Sequence, residues 1–167
     1  MKILELNQEI FEYKFEELPP DEQELILVAR KATAKAYSPY SKFNVGCAVK
    51  LTHGVIYGGA NKENASHSVT SCAERSTLDM IHNLGHTRDV EKIAVTGFLA
   101  NAVDKKGDKP LTPCGVCRQE INETEELAGR KITILMDCFN DDLIYKVVGI
   151  SNLLPLSFGP KDLGISL

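Results

Sequence analysis

The sequence has no excess of positive charge. Its 19 lysines and arginines stand against 23 aspartates and glutamates, giving a net charge of −4 and an isoelectric point near 5.6. Polyanion binding draws its affinity from cations that neutralise phosphates, so this balance argues against a nucleic-acid partner. Nor is there a run of the roughly 18 apolar residues that a membrane helix needs. The opening segment, MKILELNQEIFEYKFEEL, is acidic and holds no apolar signal-peptide region, so a cytoplasmic protein with no membrane partner is expected. Glycine (12) and proline (7) are too few for a collagenous or low-complexity chain. What remains is ordinary globular material. At 167 residues and 43% hydrophobic, the chain suits one self-sufficient domain.

Five cysteines, at 47, 72, 114, 117 and 138, are an odd number. With no export signal and enough chain for a core, a disulfide framework is disfavoured and metal or catalytic use is the better expectation.

Phe11, Tyr13 and Phe15 alternate with charged residues, which predicts a short strand or extended arm within residues 1–20. A domain over 21–167 follows. Leu25, Val28, Ala29, Ala32 and Ala36 predict a helix over 21–37. Strands are expected at 44–51 and 55–60 around a Thr52-His53-Gly54 turn, near Ile93 and Val95, and at 131–136 and 143–148. Residues 61–71 read as a loop. Helices are expected from Cys72 to a stop at Gly85 and from Cys114 to about Leu127. The alternation gives an α/β fold, with one sheet layered by helices.

Cys114-Gly115-Val116-Cys117 is a CxxC pair with two common meanings, a redox couple or half of a zinc site. Cys72-Ala73-Glu74 breaks the tie, because it also opens a predicted helix. Three protein ligands leave a fourth position free, which is the catalytic arrangement for zinc. Glu74 then gains a role, since a carboxylate beside a metal-activated water can take its proton and pass it on. Three thiolates overcompensate a divalent ion. Two helix N-termini would offset that, with Arg75 and Arg118 as the candidate cations for charge compensation at the ligand sulfurs.

Cys72-Ala73-Glu74-Arg75 followed by Pro113-Cys114-Gly115-Val116-Cys117-Arg118-Gln119 resembles the cytidine deaminases of the small, three-cysteine, homotetrameric type. So do Ser38-Pro39-Tyr40-Ser41-Lys42-Phe43 with Val45-Gly46, Asn61 with Glu63-Asn64-Ala65-Ser66, and the tail from Leu153 to Leu163. The likeness spans about residues 23–163, with its motifs in the family's order. It implies a three-layer α/β/α fold on a mixed, about five-stranded sheet. It further implies a Zn2+ cofactor on Cys72, Cys114 and Cys117, with Glu74 as catalytic proton shuttle. Phe43, Asn61, Glu63, Ala73 and Phe158 would bind a small-molecule nucleoside, with Phe158 reaching into a neighbouring subunit of a homotetramer. The reaction implied is hydrolytic deamination of cytidine and 2′-deoxycytidine.

Other residues read more plainly. Cys47 and Cys138 are expected as small buried hydrophobes, and His53, His82 and His86 as surface residues. His67 stands where the family carries an aromatic ring, and is expected to pack in a loop or interface. Residues 101–110 form a longer loop than the family's, with Lys105, Lys106 and Lys109 offset by Asp104 and Asp108. Two other functions stay in view. One is a deaminase of a related aminated base or nucleoside analogue, disfavoured by Asn61 and Glu63. The other is a non-catalytic zinc module, which would have no use for Glu74.

Overall fold

Leu25, Ile26, Ala29 and Ala32 form the buried stripe of helix α1 (Pro20–Ala32). In the computed structural model, which describes residues 1–107 and 109–166, this stripe lies on one face of a six-stranded sheet. The strands are β1 (Phe11–Lys14), β2 (Phe43–Leu51), β3 (Ile56–Ala60), β4 (Val90–Leu99), β5 (Thr133–Asp137) and β6 (Leu143–Val148). Their spatial order is β1-β6-β5-β4-β2-β3. Only β4 and β5 pair in parallel; the other neighbours are antiparallel. A parallel pair needs a crossover, and helix α3 (Gly115–Ala128) supplies it. Helix α2 (Ala73–Asn83) joins α3 on the second face, completing three layers. The sixth strand is β1, the N-terminal segment whose alternation left strand and arm both open.

Alternation along the strands divides the core in two. Cys47, Val49, Ile93, Val95, Ile134 and Met136 face α2 and α3, whereas Ala48, Ala94 and Leu135 face α1. Gly46 is where α1 comes nearest to β2. A Cβ there would overlap the Ala29 carbonyl and crowd the Thr33 amide.

Helix α1 stops five residues before the expected end. Thr33–Lys35 tighten into a 3-10 turn, after which the Tyr37 amide bonds the Asn61 carbonyl and its own carbonyl receives the Glu63 N–H. Pairing with the 61–63 segment replaces the last helical turn. That segment belongs to an otherwise irregular loop holding a 3-10 turn at His67–Val69. Two further 3-10 turns, Ile150–Asn152 and Pro160–Leu163, are the regular structure of the tail. Asp108, in the long loop, lies outside the described residues.

A candidate metal centre beside a buried glutamate

Both helices on the second face begin at a cysteine. Cys72 is the N-cap of α2 and Cys114 the N-cap of α3, with extended backbones of φ/ψ −69/157° and −68/168°. Cys117 sits in the first turn of α3, fully buried. Helix N-termini favour negative charge, so the fold gathers sulfurs where thiolates are least costly. The Sγ atoms lie 3.9 Å (Cys72–Cys114) and 3.4 Å (Cys114–Cys117) apart. Tetrahedral zinc with Zn–S bonds of about 2.3 Å requires S···S separations of about 3.8 Å. The sulfurs therefore fit zinc with little adjustment. Among the described residues no fourth histidine, cysteine or carboxylate joins the cluster. All five cysteines are free thiols, with no disulfide competing for these three.

The cluster's electrostatics are uneven. Hydrogen bonding from Cys117, then from Cys114, and the charge of Arg75 outweigh burial and bring the Cys72 thiol down to about 6. The Cys117 thiol moves up, because it donates to Cys72 and is itself buried. Glu74 is 4% exposed, and burial pushes its carboxyl up to about 7, with the charge of Cys72 adding to the rise. A buried carboxyl poised near neutrality can both take and give a proton. Arg75 is the cation felt at Cys72. Arg118 does something else: its Nε donates to the Pro113 carbonyl at 2.9 Å and its Nη1 to the Leu153 carbonyl at 2.7 Å. The charge suggested for the sulfurs thus ties the residue before Cys114 to the C-terminal tail.

The other candidate residues lie on β2, the 61–63 segment, α2 and the tail. Asn61 accepts the Val45 N–H through Oδ1 and donates from Nδ2 to the Phe43 carbonyl, both at 2.9 Å. Glu63 receives the amides of Tyr40 (2.8 Å) and Ser41 (3.3 Å). Hydrogen bonds from Ser41 and Tyr40 hold its carboxyl below the usual range. These side chains therefore order the Ser38–Phe43 turn, a duty that leaves Asn61 one N–H and both groups spare lone pairs. Phe43 is half-buried on the face that also carries Val45 and Cys47. It borders a cavity of about 540 Å3 walled by Leu99, Lys106, Lys109, Leu111 and Thr112 among others, which the cysteines, Glu74, Asn61 and Glu63 do not line. Ala73 is wholly buried, and its carbonyl accepts the Thr77 hydroxyl at 2.7 Å. Phe158 is 59% exposed, yet its carbonyl is fixed by Gln119 Nε2 (2.9 Å) and Asn122 Nδ2 (3.2 Å). His67 packs edge-on against Tyr40, ring centroids 5.4 Å apart.

Cys47 is a fully buried core residue on the β2 face that carries Val45 and Val49, as expected of a small hydrophobe, and burial, then the charge of Glu74, raises its thiol.

The description "cytidine and deoxycytidylate deaminase zinc-binding region" fits residues 19–133 as a family model. A protein named cytidine deaminase from Halalkalibacterium halodurans is 38% identical over 86% of this chain and 98% of its own length. Another of that name, from Sporosarcina psychrophila, is 35% identical over 86% and 95%. Among solved structures, cytidine deaminase from Burkholderia pseudomallei superposes with a TM-score of 0.68 at 34% identity, covering 81% of this chain and 97% of that one.

Proposed function

The chain belongs to the cytidine deaminase family, and from that premise we propose that it hydrolyses cytidine and 2′-deoxycytidine to uridine and 2′-deoxyuridine, releasing ammonia. One observation carries the reading: three sulfurs at two helix starts, spaced for zinc, beside a buried glutamate that is not a ligand. Cys72, Cys114 and Cys117 hold the ion, which when bound supplies a Lewis acid that acidifies the attacking water.

Glu74 takes the water's proton as the C4–O bond forms and delivers it to ring N3. This withdraws electrons from C4. Glu74 next takes the remaining proton from the new C4 hydroxyl and passes it to N4; the C4–N4 bond breaks, its electron pair leaves with ammonia, and the C4 oxygen becomes the ring's second carbonyl. Cytidine and water thus balance uridine and ammonia. The Ala73 backbone fixes the base edge next to Glu74. Phe43 opens β2 on the same face as Val45. Its aromatic face suits a flat pyrimidine. The spare N–H of Asn61 donates to a ribose hydroxyl oxygen, and a Glu63 lone pair accepts from a ribose O–H. Arg75 moderates the negative charge of the sulfurs.

Phe158 completes the site of a neighbouring subunit in a homotetramer; what supports this is a large exposed ring on a backbone pinned by two amides. Residues 21–167 act as the catalytic unit, to which 1–20 add the extra strand β1. Five free thiols suit the reducing cytoplasm. The test is loss of cytidine absorbance with the zinc-loaded protein, using adenosine and free cytosine as controls. No turnover of cytidine, or equal turnover of cytosine, refutes the reading.

A further inference from the structure

Three of the four histidines, His53, His82 and His86, gather at the end of α2 opposite Cys72, a helix length of about 16 Å away. His53 sits in the β2–β3 turn and His86 in the α2–β4 connection. Both turns are tight. The Gly54 amide bonds the Leu51 carbonyl (2.8 Å) and the His86 amide the Ile81 carbonyl (3.0 Å), with Gly54 and Gly85 at φ 89° and 80°. A bond from the Thr52 amide to the Asp89 carbonyl (2.8 Å) joins one turn to the other. The pair is therefore held by backbone.

The His53 and His86 rings lie 5.5 Å apart between centroids, tilted by 48°. Two imidazoles sharing one ion through bonds of about 2.1 Å at a tetrahedral angle have centroids about 5 Å apart. Behind His86, the Asp89 carboxylate lies 3.1 Å from Nδ1. A carboxylate accepting Nδ1–H leaves the Nε2 lone pair outward, the arrangement that orients histidine ligands in metal sites. The neighbouring cation, Arg88, is engaged at the Leu127 carbonyl (3.0 Å), and His82 Nδ1 at the Thr87 hydroxyl (3.2 Å).

We propose that His53 and His86, with Asp89 orienting the second ring, form an auxiliary surface site for a first-row divalent cation of the imidazole-preferring class, such as Ni2+, Cu2+ or Zn2+. Two nitrogens and solvent complete its coordination. It is separate from the cysteine cluster and independent of the deaminase reading.

The probe is Ni2+, titrated calorimetrically at about pH 7.5 into untagged protein whose cysteine site already holds zinc. One Ni2+ per chain is expected. His53→Ala and His86→Ala should each abolish it, and Asp89→Asn should weaken it 10–100-fold. His53 is exposed and His86 and Asp89 are half-buried in their connection, and circular dichroism verifies that each variant is folded. No uptake by the parent protein, or undiminished uptake by both histidine variants, overturns the site. Unchanged affinity in Asp89→Asn overturns the role given to that carboxylate.

Discussion

Replacing Arg30 with methionine isolates a single buried charge. Asp137, at the end of β5, has a side chain with no exposure, and its Oδ1 accepts from Arg30 Nη2 at 2.7 Å. Its Oδ2 accepts from Arg30 Nε (2.9 Å) and the Thr96 hydroxyl (2.6 Å). Arg30 also donates to the Asp141 carbonyl and lies over the Phe15 ring. Methionine keeps much of the stem volume but leaves Asp137 with Thr96 alone. Removing one partner of such a pair costs about 3–5 kcal/mol, and the 22% exposure of Arg30, which lets water in, points to the lower end. That is a large share of the roughly 5–15 kcal/mol that holds a domain folded. At about 2–4 °C per kcal/mol, the melting point should fall by roughly 6–12 °C. The chain has no tryptophan, so urea unfolding is followed by circular dichroism, at one fixed protein concentration. Asp137→Asn should cost less, since the stranded arginine reaches solvent. Arg30→Met with Asp137→Leu should recover stability relative to Arg30→Met alone, because no unpaired charge remains inside. A loss below about 1 kcal/mol for Arg30→Met, the scale of exposed pairs, would refute the reasoning. So would a double variant as unstable as the sum of the singles.

Glu74→Gln should retain stoichiometric zinc by elemental analysis while turnover falls by about 10²–10⁴, the usual worth of a positioned proton carrier; near-normal turnover removes Glu74 from the chemistry. Phe158→Ala should raise KM for cytidine and loosen the proposed homotetramer, read by sedimentation; a fully active monomer contradicts the proposed shared site. Hydrogen bonds from Lys50 and then Lys92 hold the Asp21 carboxyl down at about 2, below the roughly 3.9 of an unfolded chain. Its stabilisation is therefore complete above pH ~4 and lost as pH falls through about 2. Asp21→Asn should flatten the acid limb of stability between those values by no more than about 1 kcal/mol, given the side chain's exposure, and an unaltered acid limb counts against it.

The metal cluster was readable because its signals are local. Each cysteine stands at a helix start, and the helix periods from Ala73 and Gly115 lie next to it in sequence. Other features depend on where distant segments meet. The bond of Arg118 to the Leu153 carbonyl exists because the tail folds back over α3, and no spacing reports that. The early end of α1 reflects a competition that Lys62 and its neighbours win through backbone pairing with Tyr37. The His53–His86 pair requires two turns 33 positions apart to be sewn together. The membership of β1 in the sheet was undecided in the sequence because four residues carry too little alternation to separate strand from arm.

That short strand also changes what the molecule shows to its surroundings. Without it, the six residues of β6 would present an open row of amides and carbonyls, a template on which other chains could add. With it, the outermost ribbon is only four residues long and bears Glu12 and Lys14. Brevity and charge are how natural sheets discourage such growth. Trimming the first fourteen residues should therefore show itself less as lost catalysis than as turbidity on concentration.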